Sequence, residues 1–359
     1  MRGAFVDQGG LFSYISAEAR VPKTHPLRTI RALVRDVLGE LNRSLSRLYA
    51  SEGRPSIPPE QLLSALLLQV FYGIRSERQL MEQLDYNLLY RWFVGLSPDD
   101  PVWDPTVFTK NRDRLQTGEV FAKFMSKLLN HPQVRPLLSD EHFSVDGTLI
   151  EAWASQKSFR PKDGSGDADG GANFHGQKRK NDTHASATDP DSRLYRKAAG
   201  REAKLSYMGH AVMENRHGLA VAGMVTHANG TAERHASETM LKAKARAAGR
   251  RITAGEDKAY DTAEHVAKLR ALNVTPHVTQ YNNASARGRQ SAIDARTTRH
   301  QGYGMSQSRR AMIECIFGWG KQHGTMRKTK HRGIGRVAAD FMLNLIAYNL
   351  IRIPKLVAA

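Results

Sequence analysis

The chain has 359 residues, 40% of them apolar and 25% charged, the proportions of a soluble globular protein with room for a sizeable core in one to three domains. Lysine and arginine number 53 against 35 acidic residues, a net +18, and an excess of this size points to a polyanionic partner, DNA or RNA before others. The single cysteine, Cys315, excludes an internal disulfide, fits a reducing cytosol and is read as a small buried helix residue.

A membrane is the competing partner for a basic protein, but no basic amphipathic anchor is evident. The opening stretch MRGAFVDQGGLFSYI lacks the charged-then-apolar plan of a signal peptide. The longest apolar run, near Phe341–Ile353, is interrupted by Asn344, Asn349 and Arg352. It is too short to cross a bilayer and reads as a buried or interface helix. The expectation is a cytoplasmic, nucleoid-associated protein with no membrane partner.

From Pro26 to Leu115 the pattern is helical. Leu27, Ile30, Leu33, Val34, Val37, Leu38 and Leu41 recur at helical spacing, with Arg28, Arg31 and Arg35 between them. Pro59 opens a second helix, QLLSALLLQVFYGI, and Ser76 heads a third, ERQLMEQLDYNLLYRWFVGL, with Gln79 at the capping-box position. After a turn rich in proline and aspartate, Thr106 starts a basic helix, VFTKNRDRL. Such a succession suits a helix-turn-helix DNA reader or a dimerising bundle equally.

From His142 the texture changes. HFSVDGTLIEAW reads as a strand. Gln156–Gly200 is rich in Gly, Asp, Lys, Ser and Arg and predicts a flexible basic insertion without a core. Its runs KRK (178–180) and YRK (195–197) are read as solvated, with the clamping of a phosphate backbone as the alternative. LSYMGHAVMEN and LAVAGMVTHA predict a hairpin that pairs with the strand holding Asp146. Glu233–Gly249 reads as a polar helix and RITAGED as a strand ending in acids. Thr262–Leu272 is a helix capped by Asp261 or Thr262, and Val274–Tyr281 a last strand. The basic segment Arg287–Arg309 leads into a helix, RRAMIECIFGWGK, whose Arg310, Glu314 and Lys321 share one face. The order predicts an α/β fold, a mixed sheet flanked by helices.

In that arrangement Asp146, Asp257 and Glu314 fall where acids from neighbouring strands can meet an acid on a covering helix. Crowded carboxylates need cations to stay ionised, and oxygen ligands alone select Mg²⁺, or Mn²⁺ in its place, over zinc. Two such ions can activate a water or a 3′-hydroxyl and stabilise the leaving oxygen of an in-line phosphoryl transfer. Each acid also has a plainer reading. Asp146-Gly147 suits a turn, Glu256 and Asp261 rival Asp257 (Asp261 being read as a helix cap), and Glu314 suits a salt-bridge ladder with Arg310.

Four stretches together resemble bacterial DDE transposases of the insertion-sequence-five family: SVDGTLIEAWASQKSFRPKDG, NDTHASATDPDSRLYRK, GEDKAYD and SRRAMIECIFGWGKQHGTMRKTKHRG. RWFVGLSPDDPVWDPTVFTKNRDRL resembles the family's leading domain. The resemblance implies a ribonuclease H-like catalytic domain with Asp146, Asp257 and Glu314 as the triad and metal ligands, and Arg310 and Lys321 on DNA beside the scissile phosphate. Where the family signature has a tyrosine three residues before that arginine, this chain has Gln307, with Tyr303 one turn away. Ala259 stands where a glycine is frequent.

The expected division is a helical DNA-binding and dimerisation domain over 1–135 and the catalytic domain over 136–359, the latter with the insertion at about 156–200. The expected activity is cleavage at terminal inverted repeats and transfer of the 3′-hydroxyls to target DNA. The partners are then double-stranded DNA and a second copy of the chain. The alternatives are a non-catalytic DNA-binding relic or repressor and a metal-dependent nuclease of the same fold. Other chemistries lack their marks: no two of the 14 histidines lie two apart, and no zinc-ligand spacing or nucleotide-binding Gly-rich loop is present.

Overall fold

A computed structural model of the chain describes residues 14–50, 52–117, 119–163, 179–197, 200–281 and 290–358. Most of the opening stretch, Lys178 of the KRK run and the start of the Arg287–Arg309 segment lie outside the described residues.

Helices come first. α1 (Ala17–Arg20) is a single turn, and α2 (Leu27–Ser46) buries the apolar stripe that its periodicity predicts, from Leu27 to Leu45. α3 (Pro59–Phe71) is buried on nearly every side. α4 (Glu77–Tyr86) is capped by Ser76, whose hydroxyl accepts from Gln79 N. The long third helix expected from the sequence stops there. The Asn87 side chain accepts from Leu89 N and Tyr90 N and starts a separate helix, α5 (Leu88–Val94). Asparagine competes with the helix ladder for backbone donors, so it marks a new cap rather than a continuation. α6 (Pro105–Thr117) begins at Asp104, whose Oδ1 accepts from Thr106 N at 2.7 Å. α7 (Val120–Asn130) completes the helical part.

The sheet is mixed. β1 (His142–Glu151) runs antiparallel to one partner strand and parallel to another. Within the 156–200 stretch the chain forms β2 (Phe159–Pro161), β3 (His184–Ser186) and β4 (Arg193–Tyr195). β5 (Lys204–Glu214) and β6 (Ala220–His227) form the expected hairpin, and β5 pairs with β1 as expected. α8 (Ala232–Ala248), β7 (Ile252–Glu256), α9 (Ala263–Ala271) and β8 (Val274–Val278) follow. The main sheet reads β4-β5-β1-β7-β8, with β6 also on β5; β7 is parallel to both β1 and β8. The described part of the 156–200 stretch is therefore no loose insertion. β4 joins the sheet, and Phe159, Ser186, Asp189 and Ser192 are buried. Asp189 accepts from Tyr207 Oη at 2.6 Å and from Gly333 N at 3.0 Å, which supplies the polar partners that such a segment needs in place of apolar bulk.

α10 (Ala295–Thr298), α11 (Gln301–Arg310), α12 (Ile313–Gln322) and α13 (Ile334–Val357) close the chain. α13 is longer than the apolar run suggested, and by length and composition alone it would cross a membrane. Two-thirds of its apolar window is buried inside the protein. Its polar groups are met there: Asn349 accepts from Ala220 N and donates to Ala220 O, and Asn344 donates to Thr325 Oγ1. A Cβ on Gly223 would stand 2.3 Å from Leu345 Cδ1, so the helix lies directly on the bare backbone of β6. Cys315 is exposed, which corrects the expectation that it is buried.

His210 and His277 are buried neutral, and burial first of all pushes both imidazoles down to about 4. Because their folded values lie below the unfolded value near 6.5, an unfolded chain binds protons in that window that the folded chain does not. Stability should fall as pH drops from about 6.5 towards 4, by up to about 3 kcal/mol per histidine. His265 works the other way: burial opposes its charge, but Glu256 and Glu238 raise it overall. Thermal melting from pH 7.5 to 4.5 checks the sign, and His277→Gln should flatten the acid slope.

Candidate functional site

Register brings the first two acids together. β1 and β7 run parallel with Ser144 opposite Gly255 as their last paired residues. Two residues further along each chain stand Asp146, still within β1, and Asp257, just past the end of β7, on the same parity. Asp146 is mid-strand, paired through Ala211 to β5, and not in a turn. Its Oδ1 accepts from Gly147 N at 2.7 Å. Asp257 caps the short 3₁₀ turn Lys258–Tyr260, accepting from Ala259 N at 2.8 Å.

The rivals of Asp257 are occupied elsewhere. Glu256 is fully buried between the Ser237 hydroxyl and His265 Nε2, the latter at 2.9 Å. Asp261 accepts from Tyr281 N at 2.7 Å and from Ala292 N at 3.0 Å. It is therefore a brace between loops, while Thr262 caps α9. The expectation that Asp261 caps that helix is corrected.

Glu314 starts α12 and is exposed. The helix expected over Arg309–Lys321 is broken: Met312 N, Glu314 N and Cys315 N bond three residues back, to Arg309, Ala311 and Met312. This tightened turn separates α11 from α12 and ends the shared face of Arg310 and Glu314. Arg310 lies at the end of α11, half-buried, and its Nε makes no hydrogen bond among the described residues. α11 itself is pinned to the end of β8. Gln307 accepts from Thr279 Oγ1 at 2.6 Å and donates to His277 O, and Tyr303 Oη donates to Val278 O at 3.0 Å.

The acids sense one another. Burial first, then the like charges of Asp257, Glu233 and Glu314, push the Asp146 carboxyl up to about 7 against the pull of the Gly147 N–H. Glu233, in the first turn of α8, is a fourth acid that the sequence reading passed over. Burial and then Asp257 raise its carboxyl, opposed by Lys197 and Arg234. It packs behind Asp146: a Cβ on Gly147 would meet Glu233 Oε1 at 2.9 Å and His210 Nδ1 at 3.2 Å. Lys321 stands beside the group. Burial and Lys197 lower its ammonium, while Glu314 and Asp146 raise it. Charge thus couples Asp146 to Asp257, Glu233 and Glu314, and Lys321 to Glu314 and Asp146, while Arg310 lies at the end of α11.

The donor set suits a hard divalent cation. It is all oxygen, Asp146 has one backbone donor against three neighbouring negative charges, and added positive charge relieves that repulsion. Among the described residues, no three His, Cys, Asp or Glu side chains converge closely enough to hold a metal as they stand.

Sequence comparison agrees with this chemistry. A family described as Transposase domain (DUF772) matches residues 15–114, and one described as Transposase DDE domain matches residues 138–350. No curated protein sequence matches the chain. Among solved structures, a piggyBac transposase synaptic complex with hairpin DNA aligns at 12% identity and TM-score 0.39, covering 91% of this chain and 74% of that one. The Mos1 mariner paired end complex with Mn aligns at 12% identity and TM-score 0.19, covering 94% and 93%. These scores are too low to carry an argument about fold. The DDE match alone spans more than half of the chain, and on that ground the protein belongs to the Transposase DDE domain family.

Proposed function

We propose that this chain is the transposase of an insertion sequence of the insertion-sequence-five family, which cleaves element ends and joins their 3′-hydroxyls to target DNA. The observation that supports the reading is the register of β1 on β7, in which Asp146 and Asp257 each follow the last paired residues by two positions, with the charge of Glu314 felt by Asp146. The sheet order, an antiparallel β6-β5-β1 followed by parallel β7 and β8, supports a ribonuclease H-like catalytic part from about residue 136. Residues 1–135 are then the part that binds inverted repeats and dimerises, in a protein of the cytoplasm and nucleoid.

Asp146, Asp257 and Glu314 are the ligands for Mg²⁺ or Mn²⁺, which when bound supply an activated water and charge relief on the leaving 3′-oxygen. The backbone donors Gly147 N and Ala259 N orient the two aspartates. Lys321, held partly buried beside Glu314, is placed to pair with the scissile phosphate. Arg310, half-buried at the end of α11, contacts DNA farther out.

The test uses purified full-length chain and duplexes ending in the inverted repeats that border the gene. With Mg²⁺ or Mn²⁺, wild type should nick the end and join it to a target plasmid. Asp146→Asn, Asp257→Asn and Glu314→Gln should each lower nicking by at least about a hundredfold while leaving duplex affinity in place. Duplex binding without nicking by wild type would make the protein a non-catalytic DNA binder, nicking by all three variants at the wild-type rate would remove these acids from the mechanism, and nicking without joining by wild type would make it a nuclease.

A second outcome follows from Gly147. An added methyl meets the mobile end of Glu233 and the ring of His210 rather than backbone, so Gly147→Ala should fold with a melting temperature within a few degrees of wild type. Displacing groups next to Asp146 should nonetheless slow nicking about tenfold or more. A wild-type rate in this variant would remove the packing behind Asp146 from the mechanism.

A further inference from the structure

Two residues along β1 from Gly147, on the same face of the sheet, Leu149 forms part of the floor of a groove of about 630 Å³. Tyr195 on β4 supplies the rest of that floor, and it packs with Leu149 against Met208, Ala228 and Ala232. Around it stand four cations, Lys197, Arg201, Lys204 and Arg327. Lys204 is engaged by Glu151 at 3.5 Å and Glu202 at 3.8 Å, and Glu151 is shared with Lys328 at 3.0 Å. The side chains of Lys197, Arg201 and Arg327 are exposed and make no ion pair or hydrogen bond among the described residues. The groove therefore keeps an uncompensated positive rim over an apolar, aromatic floor.

That combination differs from what a duplex backbone requires. A duplex presents phosphates and base edges but keeps its base faces stacked inside, so an aromatic floor has nothing to stack on. A strand parted from its complement presents phosphates on one side and base faces on the other, which match cations on a rim and an aromatic on a floor. The groove lies near the acid site. Leu149 is about 7 Å from Gly147 along the strand, and Lys197 on its rim acts on the charges of both Glu233 and Lys321.

We infer that this groove, floored by Leu149 and Tyr195 and rimmed by Lys197, Arg201 and Arg327, holds single-stranded DNA leading away from the acid site. The inference rests on the transposase reading and deepens it. It assigns the described part of the 156–200 stretch, through β4 and the residues after it, to gripping a separated strand beside the cut.

Fluorescence anisotropy on the full-length protein tests it with two probes, a labelled twelve-nucleotide oligo-dT and a blunt twenty-base-pair duplex. Arg201→Ala/Arg327→Ala, both at exposed positions, should weaken oligo-dT binding about tenfold or more and flatten its dependence on salt by more than one unit of log–log slope. Duplex affinity should stay within about threefold. Tyr195→Leu should weaken oligo-dT binding and Tyr195→Phe should restore it, since a ring stacks and a branched alkyl chain does not. Thermal melts establish that each variant is folded.

Equal losses on both probes would make the groove a duplex contact and overturn the inference, as would oligo-dT binding that no variant changes. Tighter wild-type binding of a labelled poly-glutamate peptide than of oligo-dT, lost in Arg201→Ala/Arg327→Ala, would reassign the groove to an acidic protein partner. If wild type binds neither probe, the DNA reading itself fails, whereas nicking by wild type with unchanged groove variants removes the groove alone.

Discussion

Repulsion among carboxylates is the constraint around which this protein is arranged. Elsewhere in the fold, several buried acids are held by donors, although Asp189 keeps its Oδ2 unpaired among the described residues. Glu214 accepts from four backbone N–H groups, those of Ser139, Arg216, His217 and Leu219, and thereby fixes the hairpin turn to the segment entering β1. Glu256 is closed off by Ser237 and His265, and Asp340 by Thr325. Asp146 receives one N–H and faces three further acids. Asp146, with one N–H and three like charges acting on it, is a point whose repulsion added positive charge would relieve.

Holding such a point together requires stiffness behind it, and α13 provides much of it. The helix packs on β6 from one side and against α2, α3, α6 and α7 from the other, so sheet and helical part share a continuous buried core. Polar ties cross the same boundary. Glu77 of α4 meets Arg112 of α6 and, at 3.5 Å, Lys330, while Arg336 reaches Asp113 at 2.9 Å. Burial foremost lowers the Lys330 ammonium to about 8, so this contact is dry, and separating the two parts would leave charged groups without partners. A shift of α11 is opposed by Gln307 and Tyr303, which bind it to the end of the last strand.

How much of this was legible depended on whether a feature is written in local periodicity. The stripe of α2, the β5–β6 hairpin, the strand that carries Asp146 and the strand that leads to Asp257 repeat with periods of 3.6 or 2, and these were readable. The break between α4 and α5 was not, because Asn87 sits within an otherwise helical pattern and its capping role shows only in its hydrogen bonds. The same holds for α11 and α12, where three-residue backbone bonds interrupt a sequence that would suit one helix. β4 is three residues of mixed character that become a strand only because β5 offers an edge. Glu233 escaped because it reads as an ordinary acid in the first turn of a polar helix. The signal that singles it out is Gly147 opposite, whose missing side chain gives it room, and that pairing is a matter of tertiary contact. The exposed Cys315 shows the converse failure, since composition alone assigns small thiols to the interior.

The charge distribution then acquires a direction. A net +18 draws a polyanion from a distance, yet the place where chemistry is proposed is locally negative, and a phosphate arriving there meets Asp146, Asp257, Glu233 and Glu314 with Lys321 as its near counterweight. On the proposed reading a divalent cation reverses that sign at the point of contact. Cation and phosphate each lower the electrostatic cost of the other, so their binding is coupled, and the coupling is reciprocal by linkage. The negative end of the sheet is therefore a gate on productive approach: DNA is held by the basic surface in either state, but its backbone can settle among the acids only together with the cations that neutralise them.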